Sequence, residues 1–92
     1  MSELDDGDIP EFIEVEITDV IDLHTFQPRE VADVVRDYLD AAYDLGLREL
    51  RIIHGRGIGV QREIVRKILS ADARVERFDD APGRGATLLL MR

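Results

Sequence analysis

The chain has two histidines, His24 and His54, and each closes a run of strand-forming residues. The first run is Val20-Ile21-Asp22-Leu23-His24. The second is Arg51-Ile52-Ile53-His54, continuing as Gly55-Arg56-Gly57-Ile58-Gly59. A helix-type segment follows each. If the runs are neighbouring parallel strands, both imidazoles lie at the carboxyl ends of the sheet, where open α/β sheets bind ligands. Adjacent strands lie about 4.8 Å apart, so the two side chains are expected to share one site. Asp22 and His24 are two apart on a strand and project from the same face. A carboxylate beside an imidazole orients it for general acid/base work. The structural alternative is that Asp22 satisfies backbone amides at the strand end while His24 caps a helix. Taken alone the pair favours that alternative, and the second histidine shifts the balance toward chemistry.

Gly55, Gly57 and Gly59 alternate between a strand and a helix. Such a turn lets backbone N–H groups converge on an anion at the helix N-terminus, and Arg56 adds positive charge. The plainer reading is a tight turn that needs glycine for positive φ. The spacing fits neither the dinucleotide fingerprint nor a Walker loop. Pro82-Gly83-Arg84-Gly85 is a second basic loop, either a simple hairpin connection or a clamp on a polyanion. Thr18, Thr25, Ser70 and Thr87 lack the setting of a nucleophile elbow, which argues against covalent serine chemistry. A metal site from His24, His54 and Asp22 is geometrically allowed. It ranks below metal-free phosphate chemistry because neither histidine has a short-range ligand partner on a helix. No convergence of acids suggests a two-metal centre, and a dependence on a divalent metal such as magnesium stays open.

Positioning these groups takes a folded frame, and 92 residues suit one small domain. An apolar fraction of 45% argues against global disorder. The absence of cysteine excludes disulfides, a thiolate nucleophile and Cys-ligated metal sites. No run approaches the roughly 18 apolar residues of a membrane helix, so a cytoplasmic protein without membrane partners is expected. The net charge of −8 is unevenly spread, because residues 1–24 hold nine acids and no Lys or Arg. Residues 25–92 hold 11 acids and 12 bases, and residues 45–77 hold eight bases against four acids. A basic half therefore sits beside the second histidine, which leaves nucleic acid open as a partner despite the acidic total.

Residues 1–11 read as an acidic arm and residues 12–92 as a single domain. Asp5-Asp6-Gly7-Asp8 lacks the ligand spacing of a calcium loop. From Phe12 to Ile17 the chain alternates, with Ile13, Val15 and Ile17 on one face. Strands are expected over Val20–Leu23, Arg48–Ile53, Val75–Phe78 and Ala86–Met91. The first helix should run from Pro28 to Leu45, burying Val31, Val34, Val35, Tyr38, Ala42 and Leu45, with Thr25 and Pro28 at its start and Gly46 as its stop. The second, from Val60 to Leu69, should bury Val60, Ile64, Val65 and Ile68. The order β-α-β-α-β-β with right-handed crossovers puts both helices on one face of a four-stranded mixed sheet. The last strand is apolar on both faces and should be central. The second face then needs cover, from Phe12–Ile17 or from a partner molecule.

Ile21-Asp22-Leu23-His24 resembles the Leu-Asp-x-His motif of the small MutS-related (Smr) domain. His54-Gly55-Arg56-Gly57 matches that family's His-Gly-x-Gly motif, and Gly83-Arg84-Gly85-Ala86-Thr87 resembles its closing loop and strand. The similarity runs from about Val20 to Leu90. With no Walker loop present, it is nearer to stand-alone bacterial Smr proteins than to a domain of a MutS-like ATPase. The resemblance implies an α/β (α+β) two-layer sandwich like the C-terminal domain of translation initiation factor 3. It also implies binding of DNA or RNA, with nicking or endonuclease activity in several members. By position, Asp22 and His24 fall on the residues linked to cleavage, with His54 beside them in the second motif. Gly55, Arg56, Gly57, Gly59, Arg62 and Arg84 are the candidates for phosphate contact. Three departures stand out. Ile21 replaces the usual Leu, and Thr25 stands where many members have Gly. Arg84 stands where many relatives with the His-Thr-Phe variant carry an aromatic residue, which favours phosphate contact there over base stacking. The leading expectation is thus an endonuclease, monomeric or a weak homodimer. A non-catalytic DNA-, RNA- or ribosome-binding module is the alternative, and a protein-interaction domain using the second sheet face is the third.

Overall fold

The computed structural model describes residues 17–55 and 59–92. The elements are β1 (Val20–Asp22), α1 (Pro28–Asp44), β2 (Glu49–Ile53), α2 (Val60–Ala71), β3 (Val75–Asp80) and β4 (Ala86–Met91). The order is the expected β-α-β-α-β-β. The sheet runs β1-β2-β4-β3, with β1 parallel to β2 and β4 antiparallel to both its neighbours. The closing apolar strand is therefore internal, as its composition suggests. Residues 1–16 and 56–58 lie outside the described residues, and with them the acidic arm, most of the Phe12–Ile17 segment, Arg56 and Gly57.

Alternation along β2 sorts the two faces of the sheet. Leu50 and Ile52 are buried against the helices, while Glu49 and Arg51 are exposed on the other side. Val31, Val35 and Leu39 of α1 and Val65 and Leu69 of α2 complete the core with Leu89 and Met91. Leu39 and Leu69 extend the helical stripes beyond the expected positions, one turn after Val35 and Val65. Leu45 and Val60 depart from expectation at 62% and 45% exposure, because each sits at a helix end beyond the buried stripe.

The helix ends explain themselves chemically. The helix start uses Gln27 as N-cap, and its backbone N–H donates to Glu30 Oε1 at 2.8 Å, ahead of Pro28 at the first helical position. At the other end Gly46 takes φ +85°, Leu47 N–H reaches Ala42 O at 2.9 Å, and Gly46 N–H reaches Tyr43 O at 3.0 Å. This is a Schellman closure, which needs a residue free to be left-handed. Tyr38, buried in α1, donates to the Thr18 carbonyl at 2.6 Å and so ties the approach to β1 onto the helix. Burial, with the nearby Asp19 charge, pushes the Tyr38 phenol up to about 12.

Candidate active site

Because β1 and β2 are parallel and in register, with Asp22 opposite Ile53, their carboxyl ends lie side by side. β4 starts at the same edge, with Ala86 opposite Ile53. Three segments therefore meet there: the turn after β1, His54 and Gly55 after β2, and residues 81–85. Leu23 N–H donates to Ile53 O at 2.8 Å, and the N–H groups of His54 and Gly55 both donate to Gly85 O, at 3.1 and 2.9 Å. All three sequence motifs are thus pinned to one edge by backbone hydrogen bonds.

Asp22 and His24 form a defined pair. Asp22 Oδ1 accepts from the backbone N–H of His24 at 3.0 Å and lies 2.7 Å from His24 Nδ1. The His24 backbone N–H, then its ring, hold the Asp22 carboxyl below the ordinary carboxylate range. An ionised carboxylate only accepts, so Nδ1 carries a proton, and in the neutral ring it is Nε2 that holds the lone pair. The His24 side chain is 71% exposed and that of Asp22 46%, so Nε2 looks out to solvent on a fixed ring. One oxygen serves both the backbone amide, as the structural alternative expects, and the imidazole; the other half of that alternative fails, because Gln27 and not His24 caps α1.

His54 is placed differently. Asp22 shares a face with its partner Ile53, and the next residue along β2 turns the opposite way. His54 therefore follows Leu50 and Ile52 to the helix side, where it is 7% exposed. Its Nδ1 donates to Gly55 O at 2.9 Å, and its Nε2 lies 2.9 Å from the hydroxyl of Thr87, which is fully buried. Both ring nitrogens are occupied, leaving neither for a bound phosphate. The two histidines share one edge of the sheet without sharing a hydrogen-bond partner. Among the described residues, no group of three His, Asp or Glu side chains converges as a protein-bound metal requires.

Two of the remaining candidates, Arg62 and Arg84, meet at Asp80, which sequence reasoning missed. Arg62 grips Asp80 with both ends of its fork, Nε to Oδ1 at 3.0 Å and Nη2 to Oδ2 at 2.6 Å. Arg66 approaches at 3.6 Å and Arg84 at 3.9 Å. One carboxylate thus anchors three guanidinium groups beside the site. Its only signal in the sequence is the acidic pair Asp79-Asp80 at the end of a strand. Arg84 is 75% exposed and, with φ +62°, is the only non-glycine with left-handed backbone among the described residues. Gly55 and Gly59 also take positive φ, at +82° and +85°, and Gly59 starts α2. A small cavity at this helix start is lined by Pro28, Gly55, Val60 and Gln61. The first N–H groups of a helix are anion donors, so the cavity suits an oxyanion.

The Arg62 guanidinium beside Asp80, and that of Arg74 beside Asp72, hold both carboxyls below the ordinary range. A folded-state pKa below the unfolded value stabilises the fold above about pH 4, and that contribution is lost as pH falls further. Melting temperature should therefore drop steeply from pH 4 to pH 2. Asp80→Asn should be less stable at pH 6 and show a shallower acid slope in thermal melts. An unchanged slope would remove Asp80 from the acid response.

The fold is an α+β domain that brings the Asp22–His24 pair, His54 with Gly55, and residues 81–85 to one edge of the sheet. Comparison with known proteins gives that class its family: residues 21–92 match the Smr domain model, and the chain belongs to the Smr domain family. It is 40% identical over 76 residues to endonuclease MutS2 of Thermus thermophilus, covering 78% of this chain and 10% of that protein. It is 46% identical over 72 residues to endonuclease MutS2 of Gemmatimonas aurantiaca, covering 78% of this chain and 8% of the relative. The chain thus spans about a tenth of the length of these relatives. The crystal structure of the Smr domain of Thermus thermophilus MutS2 superposes with a TM-score of 0.75 at 38% identity, covering 82% of this chain and 99% of that one. YdaL, a stand-alone small MutS-related protein from Escherichia coli, superposes with a TM-score of 0.74 at 25% identity, covering 80% and 64% of the two chains.

Proposed function

We propose that the chain is a nucleic-acid endonuclease that breaks phosphodiester bonds with His24 as general acid/base and Asp22 as its orienter. The observation that carries this reading is the solvent-facing Nε2 of a ring whose other nitrogen is fixed 2.7 Å from a carboxylate. Neutral His24 can take a proton from the attacking oxygen, which is a water on DNA or the 2′-hydroxyl on RNA. The imidazolium so formed is stabilised by Asp22 and can protonate the leaving oxygen. Phosphate contacts come from the start of α2 and from Gly55, Arg56, Gly57 and Gly59, with Arg84 on the loop before β4. Arg62 contributes charge while it shapes the edge through Asp80. His54 acts as a positioning residue that holds this turn against β4 through Thr87. The endonuclease relatives support the same reaction class.

A non-catalytic recognition module using the same edge is the second reading, favoured by the engagement of both His54 nitrogens. The two separate on whether purified protein cuts supercoiled DNA or structured RNA, with and without magnesium. Reproducible cutting supports the enzyme; binding without cutting of either substrate supports the module.

Arg84 tests the interface without disturbing the fold. Glycine suits its left-handed backbone, so Arg84→Gly should keep the melting temperature within a few degrees. Nucleic-acid affinity should fall, and the slope of log K against log salt should shrink by about 1, the loss of one phosphate contact. Salt titration of binding to a labelled oligonucleotide reads both quantities. An unchanged slope would take Arg84 out of the interface.

A further inference from the structure

We infer that the open face of the sheet is the docking surface for a second copy of this chain, packed face to face about a two-fold axis. This rests on the sheet alone and is independent of the nuclease reading. Among the described residues, both helices lie on one side of the sheet. The other side carries Leu88 and Val20, which are 37% and 41% exposed, with Leu90 and Ile53 half-buried beside them. A groove runs over this face between Glu49, Arg77, Asp79, Leu88 and Leu90.

The charges around that groove choose the occupant. The register places Glu49, Leu90 and Arg77 in one row across β2, β4 and β3, and Arg51, Leu88 and Asp79 in the next row on the same face. Two leucines are thus framed by four exposed charges whose signs alternate around the frame: Glu49 negative, Arg77 positive, Asp79 negative, Arg51 positive. Among the described residues, none of the four ion-pairs with another. Such a frame is complementary to its own copy. A two-fold axis between the sheets and along the strands sets Glu49 opposite the partner's Arg77, and Arg51 opposite the partner's Asp79. An axis across the strands sets Glu49 opposite the partner's Arg51, and Arg77 opposite the partner's Asp79. Every charge meets its opposite in both, and the leucines meet leucines. Both are aligned sheet packings. An orthogonal packing, with the axis on a diagonal, sets like charges against each other throughout. The frame therefore selects an aligned two-fold sandwich with sheets about 10 Å apart.

Sedimentation velocity on the full chain from about 1 μM to about 1 mM tests this, a range that spans weak homodimers. The expected result is a concentration-dependent dimer that Leu88→Glu converts to monomer. Arg77→Glu alone should weaken the dimer by roughly tenfold or more, because the two-fold repeats each lost pair. These exposed positions leave the core intact, and a charge swap separates lost complementarity from misfolding. Glu49→Arg with Arg77→Glu restores the dimer if the axis runs along the strands. Glu49→Arg with Arg51→Glu restores it if the axis runs across them. A chain that stays monomeric throughout the range overturns the proposal and leaves the face to residues 12–17 or to a foreign protein. A dimer that ignores Leu88→Glu, or that neither swap restores, also overturns it.

Discussion

Replacing His24 by alanine is expected to lower phosphodiester cleavage by about 10²–10⁴-fold, the usual contribution of a positioned general acid/base. Nucleic-acid affinity and melting temperature should hardly change. The ring is 71% exposed and, among the described residues, its one hydrogen-bond partner is Asp22, so its removal opens no core cavity. Asp22→Asn should be nearly as damaging to the rate although the imidazole remains. An amide oxygen still accepts, but an amide N–H can donate to Nδ1 instead. That moves the ring proton to Nε2 and takes away the lone pair that acts as base. Single-turnover rates for the two variants, compared at saturating protein, read this directly. Wild-type rates in Asp22→Asn would show that the carboxylate serves only the backbone turn.

The second large effect is on stability, at His54 and Thr87. Thr87→Val keeps the shape of a fully buried side chain and leaves His54 Nε2 buried without a partner. Such an orphaned group costs about 1–3 kcal/mol. In a domain of this size each kcal/mol lowers the melting temperature by roughly 4–8 °C. His54→Ala should cost more, because it adds a cavity and frees the Gly55 carbonyl, loosening the turn held to Gly85. If His54 is a positioning residue, cleavage per folded molecule in Thr87→Val stays near wild type well below the melting point. Thermal melts and rates on the same preparations decide it. Full stability with lost cleavage would make the His54 ring part of the chemistry.

Much of the frame was legible in the sequence, and for physical reasons. The runs ending at His24 and His54 read as strands because they are short, β-branched and followed by helix-start chemistry. Their parallel pairing followed from the intervening helix. Gly46 announced the end of α1, and its left-handed φ shows why. The apolar Ala86–Met91 run announced an internal strand. What the sequence hid was mostly side-chain direction. Leu50, Ile52 and His54 share one parity, so the burial of His54 was written in the alternation, yet two histidines at one edge suggested a shared site. Asp80 was illegible for another reason. Its partners Arg62, Arg66 and Arg84 come from α2 and from the loop after β3, and only folding brings them together. Leu45 and Val60 fitted the helical period but lie where a helix leaves the core, a boundary that periodicity does not mark.

The most direct test of the central claim is cleavage and binding measured together, on supercoiled DNA and structured RNA, for wild type and His24→Ala in parallel. The account predicts cutting by the wild type, loss of cutting by about 10²–10⁴-fold in the variant, and equal affinity for both. Equal cutting by wild type and His24→Ala would contradict it, because the imidazole whose Nε2 has no partner among the described residues would then have no part in the reaction.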